Sequence, residues 1–335
     1  MKLILHIGTH KTGTTAIQRA LSQNRATLLE HGYWYPMYNE ILKDKQQNYA
    51  HLDIAKGLMG ESAVLDKSDA ISFLSGLYNK AREKQNIHTV IVSGETLLRG
   101  KVGAGDKWGN IENFQKLLSH QVTAFSDVEV HVTLRAYIDY LESLYNEHVK
   151  ATTYSKSIMS FYHEYSERFS YRKIVETWSE NVAPVKVTAF SELSGIEMVK
   201  KWAGRVLGEQ VSNELTVSDT TANLSWKIPL VEIKRKINSL NDRDFSSKCR
   251  AVLNKFNGTD YVINNYGKKL TWLSEPQKQK VITQHLNDKN WLVENYNAAC
   301  IDFCEYDGSD GTRFETLSDQ TLAAFFRFNS QKDSD

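Results

Sequence analysis

The segment from Lys2 to Leu21, KLILHIGTHKTGTTAIQRAL, constrains this chain most. An apolar strand runs into a glycine-framed loop, and a helix then opens on two threonines. In such a turn, backbone N–H groups and the partial positive charge of a helix N-terminus converge on one anion. The spacing Gly8-x-x-x-x-Gly13 matches a nucleotide P-loop, but Thr14 follows Gly13 where an NTPase carries lysine. The lysine stands earlier, at Lys11. From there its ammonium lies beside the terminal group of a ligand rather than in the first helical turn. The segment reads as a P-loop for an anion other than ATP.

Strand and helix patterns alternate downstream. Strands are predicted at Leu3–Ile7, His88–Val92, Val128–Leu134 and Val185–Phe190. Helices are predicted at Thr14–Glu30, Ile71–Glu83, Ile111–Leu118, Ile138–Lys150 and Tyr171–Glu180, and another is expected to end near Leu207-Gly208. Short strands separated by helices imply an α/β fold: a P-loop-type α/β/α arrangement of three layers around a mostly parallel sheet. Ligands of such sheets bind at the carboxyl ends of the strands, where Gly8, Glu95 and Arg135 all fall. After Ser212 the pattern turns helical with polar connections. Asn223-Leu224-Ser225 is expected to cap a helix running to Ile237-Asn238, and further helices are expected at Glu275–His285 and Trp291–Phe303. The expected organisation is one domain over residues 1–330. A P-loop core occupies 1–210, and a helical C-terminal part, 211–330, packs on it and walls the acceptor site.

Two motifs carry a family resemblance. The run His6-Ile7-Gly8-Thr9-His10-Lys11-Thr12-Gly13-Thr14-Thr15 resembles the phosphosulfate-binding loop of sulfotransferases that use 3′-phosphoadenylyl sulfate (PAPS). The strand Val130-His131-Val132-Thr133-Leu134-Arg135, followed eight residues on by Ser143, resembles the 3′-phosphate site of that family. The bacterial-type carbohydrate sulfotransferases are the similar group. The resemblance implies PAPS as donor, adenosine 3′,5′-bisphosphate as product, and Arg135 with Ser143 on the 3′-phosphate. It also implies a carbohydrate acceptor.

Composition sets outer limits. The 41 Lys plus Arg nearly cancel the 40 Asp plus Glu, so no global field collects nucleic acid and an anion site must be local. No apolar run approaches membrane-spanning length, and the first strand starts by Leu3, so cytoplasmic residence is the expectation. Cys249 stands alone; Cys300 and Cys304 are one helical turn apart with no neighbouring histidine. They read as reduced thiols, and no metal site is expected.

Sulfuryl transfer builds charge on the leaving phosphate oxygen, and Lys11 is placed to meet it. Backbone N–H groups from Thr12 to Thr15, with Gly13 between them and the Thr14 and Thr15 hydroxyls alongside, would hold the 5′-phosphosulfate. His10, inside the loop, is within reach of the sulfonate. Gln18, one turn into the helix, is a further candidate for the nucleotide. A general base must take the acceptor proton, and two residues compete. Glu95 ends the strand Val90-Ile91-Val92-Ser93-Gly94-Glu95, whereas His51 lies in Asn48-Tyr49-Ala50-His51-Leu52. Trp34, Tyr35 and Trp108, with the basic loop Arg99–Gly105, suit stacking on sugars that carry anionic groups. The acceptor is then a glycan or a small alcohol. Two other classes remain open: a P-loop kinase or NTPase, and a nucleotide-binding protein without turnover.

Overall fold

Strands buried on both faces need an unbroken apolar run, and Leu3, Ile4 and Leu5 supply one. They form β1 (Lys2–His6), the middle strand of a five-stranded, wholly parallel sheet. The others are β2 (Tyr33–Trp34), β3 (Thr89–Ser93), β4 (Asp127–Leu134) and β5 (Val185–Ala189), in the order β2-β3-β1-β4-β5. Leu5 pairs with Val92 on one side and Val130 on the other. After β3 the chain crosses β1 to lay down β4, so the strand order reverses beside β1. That is where an open α/β sheet leaves a crevice. The computed structural model describes all residues except 10, 47–48, 99–106, 194, 196, 218–224, 267–269, 297–311 and 331–335.

The chain forms two compact units. The first comprises Met1–Arg135, Ser170–Thr220 and Asn287–Ile301. The second comprises Ala136–Phe169, Thr221–Leu286 and Asp302–Asp335.

In the first unit one sheet face, bearing Ile4 and Ile91, packs on Ile17, Ala20 and Leu21 of helix Thr14–Gln23 and on Trp202 and Leu207 of helix Met198–Leu207. Helix Tyr171–Asn181 packs on β4 and β5, and helix Lys107–Gln121 packs on it in turn. The second unit is helical. Helices Tyr137–Ala151, Ile228–Asn238 and Arg243–Asn257 pack in series, and Leu270–Thr271 pairs with Thr312–Arg313 as a short parallel ribbon.

Three expectations need correction. The helix over Thr14–Glu30 is two helices, Thr14–Gln23 and Arg25–Glu30. Asn24 breaks it because its side-chain amide donates to Ala20 O and Thr216 O, both at 2.8 Å, while its Oδ1 accepts from Thr216 N. Local side-chain bonds of this kind compete with helix continuation. The two helices expected at Glu275–His285 and Trp291–Phe303 are one, Glu275–Tyr296, and residues 297–303 lie outside those described. Strand β2 was not expected at all, since two residues carry no readable alternation. The predicted cap at Asn223-Leu224 lies outside the described residues; the helix there starts at Ile228 with Pro229 in its first turn.

Candidate active site

The loop after β1 is held from both flanking strands. Ile7 N and Thr9 N donate to His131 O and Thr133 O of β4, and the Thr9 hydroxyl donates to Thr133 O at 2.8 Å. On the other side Gly94 N donates to His6 O. The buried Thr12 hydroxyl closes the loop on itself by donating to Thr9 O at 2.5 Å. It is therefore a strut, and only the Thr12 main chain faces the role expected of it.

Two residues of the loop sit in the left-handed region: Lys11 at φ 65° and Gly13 at φ 75°. For lysine that conformation costs about 1–2 kcal/mol and persists only where the surroundings hold it. A bond from Arg135 holds it here, with Nη1 donating to Lys11 O at 3.1 Å. Gly8 has no room for a side chain, because an added Cβ would stand 2.4 Å from Thr14 Cγ2. The main chain thus passes tight against the first residue of the helix. Gly13 O accepts from Ala16 N and Ile17 N, which starts the helix and leaves the N–H groups before them at its positive end.

Side chains from the two flanking strand ends meet at this loop. Glu95, half-buried after β3, accepts from the Thr14 hydroxyl, Oε2 to Oγ1 3.2 Å. Arg135, half-buried after β4, lies over the Phe190 ring at 5.1 Å, and its carbonyl accepts from Tyr171 Oη at 2.8 Å. Thr15 is half-buried at the helix start. Gln18 is buried one turn beyond Thr14, on the same helix face, and among the described residues its Nε2 has no hydrogen-bond partner. An orphaned buried amide donor beside a helix N-terminus fits an acceptor oxygen of a bound anion. Ser143 is half-buried about two turns into helix Tyr137–Ala151 and belongs to the second unit. His10 and the loop Arg99–Gly105 lie outside the described residues, as do Cys300 and Cys304.

His51 does fold in over the end of β3, but as a packing residue. Its Nδ1 accepts from Ser93 N at 3.1 Å, so Nε2 carries the proton and donates to Pro36 O at 2.9 Å. Tyr35, Tyr38 and Phe73 enclose the ring. Burial drives its pKa down to about 3. With both nitrogens engaged by main chain, no lone pair is left to accept a proton from an acceptor. Gly94 is required by this arrangement, since a Cβ there would stand 2.5 Å from His51 O. Trp34 and Tyr35, expected as cleft aromatics, are likewise buried in the core. Trp108 is half-buried, with Lys173 Nζ 4.5 Å over its ring.

His6 escaped the sequence reading. It is fully buried, its Nδ1 is 2.8 Å from Ser93 Oγ, and among the described residues its Nε2 has no partner. Burial, then the charge of His131, pushes its pKa down to about 3. Ser93 therefore links His6 and His51 in one buried polar chain beneath the loop.

No protein-family model matches the chain, and no curated protein sequence matches it. Among solved structures it is similar to a sulfotransferase from Alicyclobacillus acidocaldarius, at 15% identity over 75% of this chain and 95% of that one, with a TM-score of 0.38. A likeness that distant decides nothing about the site.

Proposed function

We propose that the protein is a sulfotransferase that moves a sulfuryl group from PAPS to an acceptor hydroxyl or amine, on a glycan or small alcohol. The observation that carries this reading is the bond from Arg135 to the Lys11 carbonyl. It joins the displaced P-loop lysine to the strand-end arginine, the two residues that the resemblance pairs on one nucleotide. When bound, PAPS supplies an activated sulfuryl group on a phosphate leaving group.

The chain's own residues do the rest. The loop N–H groups from Thr12 to Thr15 and the helix N-terminus hold the 5′ end, and Gln18 Nε2 gains the acceptor oxygen it lacks. The Lys11 ammonium follows the charge that grows on the leaving oxygen, as a compact point charge on a flexible stem can. Arg135 makes a two-pronged contact with the 3′-phosphate. Glu95 takes the acceptor proton. It is the base rather than His51, whose lone pair is spent on Ser93 N. The carbohydrate acceptor rests on the resemblance, and Trp34 and Tyr35 no longer support it.

One contact favours a second reading. A carboxylate on the first helical hydroxyl, Glu95 on Thr14, is also how a P-loop NTPase prepares a Mg²⁺ site. Thermal unfolding separates the two. Ligand at a hundred times its Kd adds about 2.7 kcal/mol to the folded state. Adenosine 3′,5′-bisphosphate should raise the melting temperature without metal, and ATP with Mg²⁺ should not. The reverse result, together with turnover that needs Mg²⁺, moves the protein to the kinase class.

A further inference from the structure

The second unit holds a cavity of about 370 Å³ whose lining carries four cationic side chains, Lys150, Lys234, Arg243 and Arg250. Among the described residues no carboxylate lines it. One wall is a stripe of helix Arg243–Asn257. Arg243, Ser246, Ser247 and Arg250 follow the i, i+3, i+4, i+7 spacing of a single helix face. The opposite wall is the end of helix Tyr137–Ala151 with Thr152 and Thr153 beyond it. From helix Ile228–Asn238 comes Lys234.

Lys234 explains why the cavity is more than a solvated basic surface. It is 2% exposed. Among the described residues its ammonium donates to neutral oxygens, namely Asn238 Oδ1, Ser246 Oγ and Thr152 O. Burial and the nearby Arg250 charge both lower its pKa. A buried ammonium beside a second cation, with no carboxylate among its bonded partners, is costly unless an anion offsets it. Part of its charge offsets the negative end of helix Tyr137–Ala151, through Thr152 O. That role needs neither arginine. Lys150 is paired at 3.8 Å with Glu147 and leans over Trp226 at 5.6 Å, whereas Arg243 and Arg250 have no ion pair among the described residues and can turn into the cavity. Arg243 is exposed and Arg250 half-buried, so both are accessible to a ligand. The volume falls within the range of about 300–1,000 Å³ that small-ligand sites occupy.

We propose that this cavity binds a small molecule bearing a sulfate or phosphate ester. Arg243 and Arg250 grip the oxyanion, the Ser247 and Thr153 hydroxyls donate to it, and Lys234 lies behind as a fixed charge. The site uses no residue of the loop after β1 and does not depend on the reading of that loop.

Isothermal titration with glucose 6-sulfate and glucose 6-phosphate tests it, with glucose and matched KCl as controls. The protein carries Lys11→Ala and Arg135→Ala, so that the P-loop does not bind the probe. At least one ester is expected to bind, and glucose not. Adding Arg243→Gln with Arg250→Gln should weaken that binding at least tenfold, while leaving the melting temperature without ligand nearly unchanged. Which ester binds tighter identifies the source of the anion. Absence of binding by either ester overturns the proposal, as does equal binding after both arginines are replaced. Lys234 is left intact because its bonds hold three helical segments together.

Discussion

The loop after β1 and the basic cavity of the helical unit both gather positive charge, yet they are built in opposite ways. The first is main chain and strand ends. Its arginine, Arg135, is tied to a backbone oxygen, and a carboxylate, Glu95, sits on its first helical hydroxyl. The second is side chains on three helical segments, with hydroxyls between cations and, among the described residues, no carboxylate in its lining. A carboxylate beside an anion site weakens resting affinity for the anion. On the sulfotransferase reading it is useful because an acceptor must lose a proton there. On the readings proposed above, the difference gives chemistry to the first region and plain binding to the second.

Glu95 is therefore where the comparison breaks most visibly. Glu95→Gln should lower kcat by about 10²–10⁴-fold with nucleotide affinity nearly intact, because the amide keeps the shape and loses the basicity. His51→Ala should do the converse. It leaves a void among Tyr35, Tyr38 and Phe73 and orphans Ser93 N, costing about 3 kcal/mol of stability while the folded fraction still turns over. A Glu95→Gln enzyme with normal kcat would reduce Glu95 to a brace for Thr14, and both regions would then be binding sites only.

Lys11→Ala comes next, with an expected fall of about 10²–10³-fold in kcat, since the lysine acts mainly on charge that develops during transfer. Circular dichroism should show a folded protein. Activity within tenfold of the unaltered enzyme would remove Lys11 from the reaction.

These two residues also show what could be read beforehand. The placement of Lys11, Thr14 and Arg135 around one loop was legible because a loop is written in consecutive residues, and strand ends converge by topology. The parallel sheet followed from apolar runs broken by helical stretches. That both His51 nitrogens are engaged by Pro36 O and Ser93 N was not legible, because sequence spacing does not bring those partners together. The basic cavity was illegible for the same reason. Residues 150, 234, 243 and 250 are joined only by the packing of three helices, and in the sequence each alone reads as an ordinary surface cation.

Arg135→Ala sharpens the contrast from the affinity side. Losing a charge-assisted contact of about 1.5–3 kcal/mol should weaken adenosine 3′,5′-bisphosphate by roughly 10–100-fold. Adenosine 5′-phosphosulfate, without a 3′-phosphate, should lose much less. Equal losses for the two ligands would mean that Arg135 acts only by holding the Lys11 carbonyl.

The smallest effect is a slope with pH, and it tests whether the chain His6–Ser93–His51 supports the loop. Both imidazoles are neutral in the fold, with pKa values near 3, against about 6.5 in an unfolded chain. Above pH 6.5 neither state binds the proton and these groups contribute no pH dependence. As pH falls below 6.5 the unfolded chain takes up protons that the fold refuses. Stability then drops by about 1.4 kcal/mol per pH unit for each histidine, and the loss continues towards pH 3. In the second unit His285, against Tyr162 Oη and the Tyr137 ring, is also lowered by burial, to about 4, and adds a loss of the same sign. Because two of the three histidines lie under the loop, acid should loosen nucleotide binding before it affects the basic cavity. Melting temperatures from pH 7.5 to 5, with and without adenosine 3′,5′-bisphosphate, measure this. His51→Gln should flatten part of the slope, since an amide offers a donor and an acceptor but does not titrate in this range. A melting temperature independent of pH across that interval would mean that His6 and His51 take up protons within the fold, and the buried chain could not be neutral as described.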